Sequence, residues 1–516
     1  MAHEAGNGET IWHRDLFDEE ALGSLAGEVA ALVGPGDLIT LSGDLGAGKT
    51  AFARTLIRSL AGDPALEVPS PAFTLMQLYQ GLSFPILHAD FYRIGKAEEL
   101  AELGFEEAAD GALVLVEWPQ RAEGFLDADR LDIAFALDLA HSPFYRTVTL
   151  TGRGRFAKRL SRAKAIDALL DGCGWRDADR IFMQGDASTR SYERLVKQDG
   201  ESAVLMISPR RPDGPPIRYG KSYSAIARLA EDIKPFIALC EGLRAQGIST
   251  PTILAHDLGF GLALLEDLGH EPVVTGEGRI DEERYGVAVE VLAHLHGRSL
   301  PDTLPVANED SYRIPPYDID ALLIEIELLL DWYVPYIACL PLASGTKANF
   351  VKLWRDALQP LFAVRPTWTL RDFHSPNLLW LAERKGLARV GVLDFQDCVL
   401  GHPAYDVVSL AQDARIDVPS DIELRLLAHY ARLRQQQMQA DFDIAAFARA
   451  YSILGAQRAT KILGIFARLD ERDEKPQYLV HLPRVEKYLA KNLVHPALVE
   501  LRQWYEEHLP RIFDRT

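Results

Sequence analysis

The sequence predicts two folds in succession: an α/β domain with a mainly parallel sheet, then an α+β domain of two lobes. Three observations carry this. Residues 43–50 read Gly-Asp-Leu-Gly-Ala-Gly-Lys-Thr, a full match to the G-x-x-x-x-G-K-[ST] phosphate loop (P-loop). Far downstream, Asp372-Phe-His-Ser-Pro-Asn377 and then Val-Leu-Asp394-Phe395 give the D-x-x-x-x-N and metal-Asp pair of kinase-like phosphotransferases. The chain has 516 residues, too many for one ordinary hydrophobic core. The two motifs belong to unrelated folds, so two enzymes are expected, each with its own nucleotide site.

The first domain is expected over 1–152. Small and apolar residues recur at helical spacing from Asp18 to Val33, closed by Gly34-Pro-Gly36. Asp37 to Ser42 is a short apolar strand that runs into the glycine loop, and Ala51 to Leu60 continues as a helix. Strand, loop and helix are the context a P-loop needs. Two further strands, Phe84 to His88 and Ala112 to Val116, lead to Asp90 and Glu117. Active groups gather at the carboxyl ends of strands in open α/β sheets. Leu131 to Leu139 and Thr147 to Thr151 read as an antiparallel pair that closes the domain near Gly152.

Gly43, Gly46 and Gly48 let backbone N–H groups curl around a phosphate chain without Cβ clashes, with Ala47 inside the same cradle. Lys49 supplies charge for the β and γ phosphates of ATP, and the Thr50 hydroxyl is a Mg²⁺ ligand. Asp90 and Glu117 are the carboxylates available to complete the metal shell and position water. His88 reads as a packed residue without an acid partner, and Trp118 as a core cap before Pro119, with stacking on a base as the alternative.

Four segments occur in order: the glycine loop, Val68-Pro-Ser-Pro-Ala-Phe-Thr74, His88-Ala-Asp90-Phe-Tyr92-Arg93 and Val116-Glu-Trp-Pro119. Together they resemble the TsaE family, the small ATPase of bacterial tRNA threonylcarbamoyladenosine synthesis. The resemblance implies a switch-like loop around Thr74 near the γ-phosphate, and Asp90 and Glu117 as the metal and water-activating carboxylates. It implies TsaD and TsaB as protein partners that carry the transferase chemistry, so tRNA is met only indirectly. Ala72 departs from the pattern, where Thr is expected.

Gly152 to Lys164 is a basic, glycine-containing run between acidic blocks, read as a linker over 153–164, with a nucleic-acid contact as the alternative. The second domain is expected over 165–516, with one lobe at about 175–268 and the other at 269–516. Arg180 to Gln184, Ser191 to Lys197 and Ser202 to Ser208 read as strands, and the loop Gly185-Asp-Ala-Ser188-Thr-Arg190 joins the first two. Helical patterns cover Tyr223 to Gln246, Asp281 to Arg298 and Ile319 to Leu330. Ala263 to Gly269 reads as the hinge strand. Trp368 to Asp397 is strand-rich, and helix dominates from Asp406 onward.

In the kinase arrangement Asp372 accepts the proton of the acceptor hydroxyl, Asn377 ligates Mg²⁺, and Asp394 bridges the metal to the β and γ phosphates. Asp406 reads as an anchor for the catalytic loop, and Asp397 as a second metal group or a hinge hydrogen-bonder. These segments resemble the aminoglycoside-phosphotransferase-like kinases. Leu370-Arg371-Asp372 stands where that superfamily has His-Gly-Asp. Within it, residues 185–192, 370–379 and 461–469 look closest to the AmgK sugar kinases. Those phosphorylate the anomeric hydroxyl of N-acetylmuramate and N-acetylglucosamine in cell-wall recycling. The resemblance implies Gly185, Ser188 and Arg190 in the nucleotide loop and an amino-sugar substrate. The strand Ala203-Val-Leu-Met-Ile207 lacks the phosphate-pairing Lys of most kinases, and Arg190 or Arg194 is the candidate replacement. Other small alcohols, such as an aminoglycoside or choline, a pseudokinase scaffold, and a nucleotide switch in the first domain are the rival readings.

A net charge of −19 argues against broad non-specific nucleic-acid binding. Four scattered cysteines without metal spacing suit a reducing compartment. The N-terminus has no basic and apolar pattern of a secretory signal. Residues 321–343 form the most apolar long stretch, and their carboxylates and prolines favour a buried helix over a membrane span. A cytoplasmic protein is therefore expected.

Overall fold

The structure, a computed structural model, describes residues 9–96, 98–122, 124–138, 145–183, 190–211, 214–306, 310–438 and 442–514. It divides into two compact units, Met1–Arg176 and Asp177–Thr516.

In chain order the first unit has β1 (Glu9–Leu16), α1 (Glu19–Ala30), β2 (Leu38–Gly43), α2 (Lys49–Ala61), β3 (Met76–Tyr79), β4 (Ile86–Asp90), α3 (Glu98–Glu102), α4 (Phe105–Ala109), β5 (Leu113–Glu117), β6 (Leu131–Leu137), β7 (Arg146–Arg153) and α5 (Arg155–Gly172). Seven strands form one sheet in the order β1-β7-β6-β2-β5-β4-β3. Its centre, β6-β2-β5-β4, is parallel. Both flanks are antiparallel, which corrects the expected mainly parallel sheet to a mixed one. The central strands β4 and β5 are buried along their whole length, so they read as unbroken apolar runs. The Asp18 side chain accepts from Ala21 N at 2.8 Å and starts α1. Gly62, at φ 63°, ends α2.

The basic run is not a linker. It is the start of α5, and Phe156 and Leu160 bury into the core under β1 and β7. Its arginines face solvent and pair with sheet-end acids: Arg159 reaches Asp37 at 2.6 Å and Arg155 reaches Asp129 at 2.9 Å. Charge composition hid a helix with one apolar stripe.

The second unit opens with an antiparallel five-stranded sheet, β11-β12-β10-β9-β8. Its strands are β8 (Asp179–Met183), β9 (Ser191–Val196), β10 (Ser202–Ile207), β11 (Ile253–Asp257) and β12 (Leu262–Glu266). Two helices, α6 (Tyr223–Ala227) and α7 (Lys234–Ala245), replace the single helix expected there. Arg228 takes φ 59° and Pro235 sits in the first turn of α7, so the backbone breaks between them. The helical part contains α8 (Glu282–His296), α9 (Ile319–Leu328), α10 (Ser344–Leu358), α11 (Ala404–Ala411), α12 (Ser420–Met438), α13 (Ile444–Glu471), α14 (Leu482–Leu493) and α15 (Val499–His508). Three short antiparallel pairs decorate it. They are β13 (Thr303–Pro305) with β14 (Ser311–Arg313), β15 (Thr367–Thr369) with β18 (Val399–Gly401), and β16 (Leu378–Trp380) with β17 (Val390–Val392). The apolar stretch after α9 continues as a π-helical segment, Leu329–Ile337. Among the described residues, no helix is long and apolar enough to cross a membrane.

Candidate active sites

In the first unit, Gly43 takes φ 134° at the end of β2, and a Cβ there would lie 2.4 Å from the Phe135 carbonyl oxygen. Gly46 and Gly48 also have positive φ, so the glycines of the loop are conformational requirements. The loop delivers Lys49 and Thr50 to the first turn of α2. Lys49 Nζ donates to the Gly43 and Asp44 carbonyls at 2.8 and 2.9 Å, and sits 3.9 Å from the centre of the Trp118 ring. Trp118 is thus a cation–π partner of the loop lysine, beyond the capping role read from sequence.

The parallel register of β4 and β5 sets Asp90 opposite Glu117. Thr50 Oγ1 donates to Glu117 Oε2 at 2.9 Å, and His88 Nε2 lies 3.0 Å from Glu117 Oε1. This corrects the reading of His88 as a residue without an acid partner. The signal was present: His88 and Asp90 are two apart on one strand and share a face. Burial raises the Asp90 carboxyl, opposed by the Tyr92 amide and reinforced by Glu117. Burial also lowers the Lys49 ammonium, against the pull of Glu117, Asp90 and Asp44. Thr74 is exposed in the turn before β3. Among the described residues, no hydrogen bond joins it to the phosphate loop. Arg146, which sequence reasoning missed, brings its Nε within 3.9 Å of where a Gly48 Cβ would stand.

In the second unit, Asp372 and Asn377 lie on the loop between β15 and β16, and Asp394 follows β17. Asn377 Nδ2 donates to the Asp372 carbonyl at 3.0 Å, which leaves its Oδ1 free to accept a cation. Asp394 Oδ1 accepts from Arg190 Nη1 at 2.9 Å and from Gln396 Nε2 at 2.7 Å. Arg194 turns instead to Asp267 at 2.9 Å. Of the two arginines weighed for the missing lysine, Arg190 is the one beside the metal-type aspartate. Gly185 and Ser188 lie outside the described residues.

Asp406 accepts from the Leu370 and Arg371 amides at 2.7 and 2.8 Å, and Ser409 Oγ donates to the Arg371 carbonyl at 3.0 Å. Asp397 accepts from the Ala230 amide at 2.6 Å, a backbone anchor. Arg371 has φ 69° and is almost fully buried. Its guanidinium bonds the Ala227 carbonyl at 3.0 Å and pairs with Glu325, which also takes Lys461 at 2.9 Å, Tyr317 and Gln457. Glu325 and Lys461 carry no sequence signal, because no spacing links α9 and α13 to the loop; His374 stands inside the Asp372–Asn377 motif without a role of its own in it.

Burial alone would raise Asp372. The charges of Lys461, His374, Arg371 and Arg458 outweigh it and hold the carboxyl below its ordinary range. Asp394 goes the other way, raised by burial and by the charge of Asp372. Two neighbouring carboxyls pushed in opposite directions are an arrangement a divalent cation would relieve. Among the described residues, no three His, Cys, Asp or Glu side chains gather as a metal cluster.

The family model for the threonylcarbamoyl adenosine biosynthesis protein TsaE matches residues 16–143. The model for the phosphotransferase enzyme family matches residues 181–450. An N-acetylmuramate/N-acetylglucosamine kinase of Caulobacter vibrioides is 36% identical over 361 residues, covering 68% of this chain and 97% of that protein. One from Pseudomonas aeruginosa is 29% identical over 66% of this chain and 95% of its own length. A tRNA threonylcarbamoyladenosine biosynthesis protein TsaE of Rickettsia felis is 41% identical over 118 residues, 23% of this chain and 68% of that protein.

Proposed function

The chain belongs to the TsaE family in its first unit and to the phosphotransferase enzyme family in its second, and on that premise we propose a bifunctional protein. The first unit is an ATPase that supports tRNA threonylcarbamoyladenosine biosynthesis. The second is an ATP-dependent kinase that phosphorylates the anomeric hydroxyl of N-acetylmuramate and N-acetylglucosamine. The observation that carries the kinase reading is a match along 97% of a sugar kinase, and the spacing of Asp372, Asn377 and Asp394 supports it.

In the first unit, the glycine-loop amides and Lys49 hold the ATP phosphates. Thr50, Asp90 and Glu117 are oxygen donors that fit Mg²⁺, and His88 fixes the Glu117 carboxylate that orients the attacking water. Thr74 belongs to the segment that senses the γ-phosphate. TsaD and TsaB are the partners this reading implies, and tRNA is reached only through them.

In the second unit, Asp372 takes the proton of the sugar hydroxyl as it attacks. Its carboxyl is held ionised by the surrounding cations, the state a base requires. Asn377 Oδ1 and Asp394 would hold Mg²⁺, which would supply positive charge to neutralise the phosphate oxygens. Arg190 supplies the phosphate charge that the missing strand lysine would give. Gly185 and Ser188 contribute to the loop over the nucleotide.

The test offers the full chain ATP–Mg²⁺ and a panel of N-acetylmuramate, N-acetylglucosamine, an aminoglycoside and choline. Release of ADP is followed together with phosphorus NMR of the product. Turnover confined to the two sugars, with an anomeric phosphate, is expected. Turnover on the aminoglycoside or choline alone would replace the sugar assignment.

A further inference from the structure

Within the second unit, a cleft of about 720 Å³ shares no lining residue with Asp372, Asn377, Asp394 or Arg190. Its walls come from the end of α8, from β15, and from α12 and α13. Trp368 and Phe447 make the inner wall apolar, and both are buried. The rest of the lining carries an unusual charge pattern.

Three guanidiniums face this cleft: Arg298, Arg365 and Arg434. Among the described residues none of them has a carboxylate partner. The two acids on the rim are already engaged. Asp302 pairs with Arg313 at 3.5 Å, and the Asp443 side chain accepts from Ala446 N at 3.0 Å. Elsewhere in the unit arginines typically find acids, as Arg190, Arg194, Arg218 and Arg371 do. Three guanidiniums against two rim carboxylates give the cleft a local excess of positive charge on a chain of net charge −19.

Arg434 is the informative member. It is 7% exposed, and its Nε is buried without a hydrogen-bond partner. Its other nitrogens donate to Gln437 Oε1 at 2.6 Å and toward Met438 Sδ at 3.4 Å, both neutral. A Cβ at Gly297 would stand 2.8 Å from Arg434 Nη1, so that glycine keeps room for the guanidinium. Thr367 Oγ1, on another lining residue, is also buried without a hydrogen-bond partner. Burial pushes His296 down, and burial together with His296 pushes His402 down to about 4, so neither histidine is the cleft's charge. A largely buried guanidinium with no carboxylate partner beside an open cleft is costly unless an anion meets it.

We propose that this cleft binds a small anion, a phosphate- or carboxylate-bearing molecule with an apolar body, with Arg434 as its buried charge partner. Arg298 and Arg365 draw the anion in at the rim, and the accessible apolar side chains of Leu300, Phe442 and Met438 receive the body. The low-polarity wall strengthens the Arg434 contact. The site adjoins the support of the catalytic loop, because His296 Nε2 lies 3.7 Å from the Asp406 carboxylate that holds the Leu370 and Arg371 amides.

The experiment uses the full chain with both nucleotide sites saturated with ADP–Mg²⁺. The unfolding midpoint of the second unit is followed against phenyl phosphate, benzoate and inorganic phosphate, with chloride at equal ionic strength as the reference. Phenyl phosphate or benzoate is expected to raise the midpoint most, inorganic phosphate less, and chloride not at all. Which of the two aromatic anions binds tighter decides between phosphate and carboxylate. Arg434→Met is expected to weaken the stabilising anion by at least about tenfold, and to unfold no earlier than wild type when anion-free, since an unpaired buried charge is removed. Arg365→Gln, exposed at the rim, is expected to weaken the anion several-fold with an unchanged anion-free midpoint. Absence of any anion effect in wild type, or wild-type affinity in both variants, would overturn the site. So would a markedly less stable anion-free Arg434→Met alongside wild-type affinity in Arg365→Gln.

Discussion

The two phosphate sites are built on opposite plans. In the first unit, one turn of chain, Gly43 to Thr50, carries the loop, the lysine and the hydroxyl. Two adjacent strands add Asp90 and Glu117 in register. In the second unit, Arg190, Asp372 and Asp394 come from distant stretches, and Glu325, Asp406 and Lys461 hold the loop from three separate helices. A contiguous site rests on local backbone geometry. A dispersed site rests on a buried ionic network, so its chemistry and its stability are coupled.

The largest expected effects cut between the two plans. Lys49→Ala should abolish ATP hydrolysis by the first unit and leave sugar phosphorylation at wild-type rate. Asp372→Asn should do the reverse, lowering sugar phosphorylation by roughly 10²–10⁴-fold or more with ATP binding kept. Both activities assayed on each full-length variant decide it. Loss of both in a still-folded Lys49→Ala protein would break the separation.

Next in size is the network. Glu325 is fully buried and answers two cations, so Glu325→Gln leaves Arg371 and Lys461 buried without their acid. The cost is roughly 3–5 kcal/mol to the second unit. The first unit's unfolding transition and ATPase should not move. Lys461, now held at about 12 by Glu325 against its burial, would lose that support. A second-unit midpoint within error of wild type would show the network to be dispensable.

A smaller effect belongs to the first site. His88 Nε2 is the buried partner of Glu117 Oε1, and the ring has no exposed atom. His88→Ala should cost the first unit about 1–3 kcal/mol and slow ATP turnover, because Glu117 loses one of its two orienting contacts. Nucleotide-free calorimetry and steady-state hydrolysis read the two halves. Unchanged turnover would return His88 to a packing role.

The same difference explains what was legible in the sequence. The glycine loop, Asp90, Glu117, Asp372, Asn377 and Asp394 could all be read because each sits in a short motif or at a strand end. The strands β2, β4, β5, β8, β9 and β10 came through with their ends shifted by a residue or two, since apolar runs mark them. β1 was passed over, because an alternating edge strand, Glu9 to Leu16, has a mixed polar composition. Helix α5 hid behind its arginines, and β3 behind the half-buried Met76 to Tyr79. The Arg371–Glu325–Lys461 network and the His296–Asp406 contact join residues far apart in the chain. No periodicity encodes such pairs; packing alone brings them together.

The smallest prediction sharpens the comparison through pH. Asp90 is raised chiefly by burial, so the folded first unit binds its proton more tightly than the unfolded chain does. Its contribution to stability is present below the ordinary carboxylate pKa and is lost as pH rises through the raised value. Asp413 is the opposite. Burial raises it, but His374 and the bonds from the Ser375 side chain and the Arg415 and Ser375 amides outweigh burial and leave it lowered. Its contribution is present above the ordinary value and is lost as pH falls through the lowered one. Acidification from neutral should therefore gain stability at Asp90 and lose it at Asp413. Asp90→Asn should make the first unit's midpoint fall more steeply toward acid than in wild type. Asp413→Asn should lower the second unit's midpoint at neutral pH and flatten its acid slope. Nucleotide-free melts across the acid range, with the two transitions resolved, test both signs. Parallel slopes for each variant and wild type would mean that folding shifts neither carboxyl, and that burial at Asp90 and the Ser375 and His374 contacts at Asp413 do not pull in opposite directions.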